Sequence, residues 1–93
     1  MDARARLDDL VQTAEKLSIE IRRENLSDEE IPTRSGYCKV NGLGLILMDN
    51  KLPPEEQIEV ILRALERFDL ETIYVPAWIR ETLEHRKPIG NQT

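Results

Sequence analysis

The chain holds one cysteine, Cys38, one histidine, His85, and eighteen carboxylates, and these bound the chemistry it could perform. A zinc centre takes three or four His, Cys or carboxylate ligands on a rigid frame. A single thiol and a single imidazole, far apart in the chain, do not supply such a set. Carboxylates alone could hold Mg²⁺ or Ca²⁺, and Asp49-Asn50 near Glu55-Glu56 is the densest candidate. It lacks the D-x-D-x-D-G spacing of a calcium loop. The glutamates suit a helix start, where negative charge meets the positive end of the dipole. The expectation is no metal and no cofactor.

Covalent catalysis needs a nucleophile with its base in reach. Cys38 and His85 could form a thiolate–imidazole pair only if folding joined them. Gly36, Gly42 and Gly44 match no phosphate-binding fingerprint, and a Walker lysine with its following Ser/Thr is absent. Glu66 and Glu71 are not spaced to share one helix face. The chain is therefore read as a non-enzyme. A lone cysteine also excludes an internal disulfide.

The elements that must position these residues follow from periodicity. Leu7, Leu10, Ala14, Leu17 and Ile21 recur with steps of three and four, and Val11 widens the stripe. With no Gly or Pro in the segment, this predicts one helix over residues 2–26, capped by Asp2. Residues 27–35 read as a linker, with Ser27 and Glu30 placed for a short capping box before Pro32. Asn41-Gly42 between two apolar runs predicts a type I′ hairpin of residues 36–40 and 43–49. That register puts Cys38, Val40, Leu43, Leu45 and Leu47 on one face, read as the core face. Tyr37, Lys39, Ile46 and Met48 fall on the other.

Pro53-Pro54-Glu55-Glu56 opens a helix over residues 54–68, with Ile58, Ile61, Leu62, Leu65 and Phe68 buried. Thr72-Ile73-Tyr74-Val75 has the composition of a short third strand. Pro76 then starts a last helix from Ala77 to about His85, with Ile79 and Leu83 inward, and residues 87–93 form a polar tail. The fold class is α+β, a single domain over residues 1–93, with the order α-β-β-α-β-α. Residues 36–86 form a ββαβα core whose helices pack on the sheet.

The run GYCKVNGLGLILMDN followed by PPEEQIEVILRALERF resembles the approach to the catalytic helix of ImmA/IrrE-type metallopeptidases. In that family the helix carries H-E-x-x-H. Here it carries Leu65-Glu66-Arg67-Phe68 and no histidine, and Glu66 alone cannot bind zinc or polarise a metal-bound water. The whole chain resembles an uncharacterised family of small bacterial proteins. Gly36-Tyr37-Cys38, Pro53-Pro54-Glu55-Glu56, Arg67-Phe68-Asp69-Leu70-Glu71 and Tyr74-Val75-Pro76 through Arg80-Glu81 carry that likeness. The resemblance implies a small domain and no stated activity.

Composition narrows the partners. Ninety-three residues, 40% hydrophobic and 33% charged, suit one small domain that gains from association. A net charge of −5 with no basic run argues against nucleic acid as the partner. The longest apolar run, Leu45–Met48, is far too short to span a bilayer, and MDARARLDDL lacks the apolar core of a signal peptide. The expectation is a cytoplasmic protein-interaction module, self-associating as a homodimer or binding another protein. Its candidate interface is Leu7, Leu10, Ala14, Leu17 and Ile21 on the first helix, with Tyr74 and Trp78. The alternative is a degenerate metallopeptidase-like or small-ligand domain, which needs Cys38, Glu66 and His85 in one polar pocket.

Overall fold

The first helix starts where the sequence places it and stops early. A computed structural model describes residues 1–26 and 34–86. Helix α1 spans Ala3–Lys16, and the Asp2 carboxylate accepts the Ala5 N–H at 2.9 Å as its N-cap. The helix then closes on itself. Ser18 adopts φ of 61°, its N–H bonds to the Glu15 carbonyl, and the Ile19 N–H reaches back to the Ala14 carbonyl, each at 3.0 Å. This is a Schellman closure with serine at the position glycine usually takes. The chain leaves it extended, and Glu20–Glu24 forms strand β1.

The helix expected over residues 2–26 is thus a shorter helix followed by a strand. The apolar step from Leu17 to Ile21 belongs to two elements. The alternation Ile19, Ile21 between polar neighbours is the strand signal inside the apparent heptad. The candidate cap and capping box at Ser27 and Glu30 lie outside the described residues, as does the tail 87–93.

Strands β2, Gly36–Val40, and β3, Leu43–Asp49, form the hairpin. Asn41 and Gly42 sit at φ of 54° and 82°, the two positive angles of a type I′ turn. Val40 pairs with Leu43, Cys38 with Leu45 and Gly36 with Leu47. β1 pairs parallel to the far side of β3, so the sheet order is β1-β3-β2. Residues 72–75, expected as the third strand, form no strand. β1 already holds the position beside β3. Leu70 and Val75 instead bury their side chains in the core from an irregular loop. The element order is α-β-β-β-α-α within the α+β class.

Helix α2 spans Pro54–Leu65 and α3 spans Ala77–Arg86, each opened by the expected proline. α1 and α2 pack on one face of the sheet. That face presents Ile46 and Met48, fully buried, with Ile21 and Tyr37 flanking Ile46 on either side. They meet Leu10 and Ala14 of α1, Ile58, Ile61, Leu62 and Leu65 of α2, and Ile79 of α3. Thr13, the one buried polar residue among the described residues, donates its hydroxyl to the Asp9 carbonyl at 2.9 Å and so carries no unmet hydrogen bond.

The hairpin alternates as its register requires, but the core takes the face opposite to the expected one. Val40 is 50% exposed, Leu43 67% exposed, and Cys38 is also exposed. The reason lies in Gly44. A Cβ there would lie 3.1 Å from the Tyr37 ring, so the absent side chain makes room for that ring on the helix side. Tyr37 then meets Phe68 edge-on, with ring centres 5.5 Å apart. Lys39 shares that face near the hairpin tip and stays in solvent. Leu45 on the outward face is nevertheless buried, as is Leu26, and both lie apart from the main cluster.

Candidate functional site

The residues that could do chemistry are held apart. Cys38 lies on the outward face of the sheet, away from α2. His85 is exposed on α3. Glu66 accepts from Arg86 Nη1 at 2.9 Å, and Glu59 accepts from Arg86 Nη2. The guanidinium of Arg86 draws the Glu59 carboxyl below its ordinary value, mainly through that hydrogen bond, and its own pKa is raised in return. Asp49 accepts the Lys51 N–H at 3.0 Å and so closes a turn. Among the described residues, no three His, Cys, Asp or Glu side chains cluster to hold a metal ion. No helix of the described residues is long and apolar enough to cross a membrane.

The expected interface is largely covered by this chain itself. Leu10 and Ala14 are fully buried, and Leu7, Leu17 and Ile21 pack half-buried against the same core. Ile21 contributes from β1 rather than from the helix. Trp78 is half-buried, and its indole N–H donates to Asp9 Oδ2 at 2.7 Å. The Arg6 guanidinium lies 5.5 Å from its ring centre. These contacts tie α3 to α1. Tyr74 alone of the seven stands free of the core, 74% exposed, with Lys16 Nζ 4.8 Å from its ring centre.

Two hollows remain. The larger, about 330 Å³, lies between the end of α2, the following loop and α3. Its cations already have partners. Arg80 donates to the Leu70 and Ile73 carbonyls at 3.2 and 3.3 Å, and its other nitrogen is 3.5 Å from Glu71. Arg86 holds Glu59 and Glu66. The Arg80 contacts tie the loop of Leu70, Glu71 and Ile73 to α3.

The smaller hollow, about 230 Å³, is a groove between β2 and α2, lined by Ser35, Gly36, Tyr37, Val60, Arg63 and Arg67. It runs beside the β2 edge of the sheet. In a two-residue hairpin the pair flanking the turn is hydrogen-bonded, and bonded pairs then alternate. Gly36, Cys38 and Val40 therefore direct their backbone groups to β3, while Tyr37 and Lys39 direct theirs outward. Among the described residues, no strand pairs with that edge. The other edge, β1, reads Glu-Ile-Arg-Arg-Glu and is guarded by charges of both signs. The β2 edge carries only Lys39.

Arg67 lies 5.5 Å from the Tyr37 ring centre and has no carboxylate partner among the described residues. Arg63 has one long contact, 3.4 Å to Glu59. Sequence reasoning missed this site because it exists only once the strand order is known. The signal that was present is the pair Arg63 and Arg67, four apart on the rim of an otherwise apolar helix face. Comparison of the chain with family models, curated proteins and solved structures yields no match.

Proposed function

We propose that this protein is a cytoplasmic interaction module, without catalysis, that captures another polypeptide as an added strand on β2. The observation that carries the reading is the β2 edge, unpaired among the described residues, with the Tyr37 and Lys39 backbone groups turned outward next to an open groove. Strand addition gives affinity through main-chain hydrogen bonds and selectivity through alternate side chains. The burial of Leu10 and Ala14 within their own domain moves the candidate interface from the first helix to this edge.

The test is Lys39→Pro. Proline removes one outward N–H and obstructs an incoming strand, while the β2–β3 hydrogen bonds, made by residues 36, 38 and 40, are kept. Affinity capture from the native cell with the wild-type chain and the variant is compared, with circular dichroism as the check on folding. A partner that protects the Tyr37 and Lys39 amides from exchange, and binds the variant about tenfold or more weakly, supports strand addition. Undiminished capture by a folded Lys39→Pro variant overturns it.

A further inference from the structure

The two sides of the β2 edge differ in chemistry, and an added strand would meet both. On the helix side stand Arg63, Arg67 and Lys39, three cations on a chain whose net charge is −5. Glu59, which lies 3.4 Å from Arg63, is shared with Arg86. On the outward side stand Cys38 and Val40, both exposed, with Leu43 beyond them. Side chains of an added strand alternate between these two sides.

Resting on the strand-addition reading, we propose that the occupant is an extended segment of another protein in which acidic and apolar residues alternate. Its carboxylates lie over Arg63, Arg67 and Lys39, and its apolar side chains continue the row of Cys38 and Val40. Arginine suits this role, since its planar fork binds a carboxylate through two parallel hydrogen bonds.

A second copy of this chain fits the edge less well. Antiparallel pairing of two β2 strands about Cys38 would set Tyr37 opposite the partner's Lys39. Arg67, stacked on Tyr37, would then face that lysine, cation against cation. A single-stranded nucleic acid is also disfavoured. The Tyr37 ring already meets Phe68 and carries Arg67 over it, so a base would have to displace Arg67 to stack there.

The experiment titrates the full chain, isotope-labelled for NMR, with a short capped peptide alternating Glu and Val. Peptides alternating Thr and Val or Lys and Val, and an oligouridylate, serve as comparisons. The expected result is binding of the Glu–Val peptide with shifts at Tyr37 and Lys39, weakened by added salt. Charge reversal at both exposed arginines, Arg63→Glu with Arg67→Glu, then weakens binding about tenfold or more.

Equal binding of the Thr–Val peptide, blocked by Lys39→Pro, overturns the acidic preference and leaves strand addition standing. Absence of any β2 shift with every peptide, together with undiminished capture by Lys39→Pro, overturns both. Tighter binding of the oligouridylate, or a two-chain solution mass with Tyr37 and Lys39 protected before any peptide is added, overturns the proposed occupant. Salt dependence of the wild-type chain keeps the test decisive should the double variant misfold.

Discussion

Replacing Arg80 with methionine tests whether a single guanidinium holds the loop that the sequence presents as a strand. Arg80 Nη2 donates to the carbonyls of Leu70 and Ile73 at 3.2 and 3.3 Å, and Nη1 lies 3.5 Å from Glu71. A hydrogen bond from a charged donor contributes about 1.5–3 kcal/mol when short and buried. These two are long, and the Arg80 side chain is 39% exposed, so about 0.5–1 kcal/mol each is the better figure. The ion pair adds about 0–0.3 kcal/mol, since Glu71 is 82% exposed.

Methionine keeps most of the aliphatic stem and removes the donors, so Arg80→Met should destabilise the domain by about 1–2 kcal/mol. For a chain of this size that is a fall in Tm of about 5–15 °C. Thermal melting by circular dichroism reads the total. Amide exchange across residues 70–76 reads where the loss falls, and protection should drop there before it drops in β3. Glu71→Gln is the control and should move Tm by less than about 2 °C. A Glu71→Gln loss equal to that of Arg80→Met would refute the reasoning, because the exposed ion pair would then be the anchor. So would an Arg80→Met variant with unchanged exchange across the loop.

Two further outcomes follow from the packing. Ile46→Ala removes a fully buried side chain from the central strand and should cost about 2–4 kcal/mol by urea denaturation, while Leu43→Ser, on the outward face, should cost under about 0.5 kcal/mol; the reverse ranking would invert the sheet. A hydrogen bond from Arg86 holds the Glu59 carboxyl below its ordinary value, so its contribution is complete at neutral pH and is lost as pH falls through that lowered value. Wild-type stability should therefore drop more steeply below about pH 4.5 than that of Glu59→Gln, and parallel curves would exclude the Arg86 interaction as the cause.

Local chemistry made much of this fold legible. Asp2 caps α1, Asn41-Gly42 supplies two positive φ angles, and Pro54 and Pro76 lead into α2 and α3. Each of these is decided within four residues of chain. The end of α1 was not legible in the same way, because its closure uses Ser18 in the left-handed region where glycine is the usual signal. A serine pays a conformational penalty there that only tertiary gain can offset, and the gain is Ile19 and Ile21 packed against the core. The core face of the hairpin was misread for a related reason. Counting apolar residues favours Cys38, Val40, Leu43, Leu45 and Leu47, whereas packing favours the face on which Gly44 admits the Tyr37 ring.

The candidate site lay still further from the sequence, and the cause can be traced to that one serine. Had the helix run on to residue 26, β3 would have had only β2 beside it, and residues 72–75 could have taken the other side. The break at Ser18 instead frees Glu20–Glu24 to pair with β3, which fixes β3 as the central strand and β2 as an edge. The groups then turned outward are the backbone N–H and C=O of Tyr37 and Lys39, which no residue motif encodes. In the proposed reading their selectivity comes from Arg63 on α2 and Arg67 just past its end, two exposed residues that in sequence read as a solvated helix face. The functional reading thus depends on topology first and side-chain chemistry second. That ordering has a testable consequence: a substitution such as Lys39→Pro, which leaves Arg63 and Arg67 in place, should weaken capture at least as much as reversing those two charges.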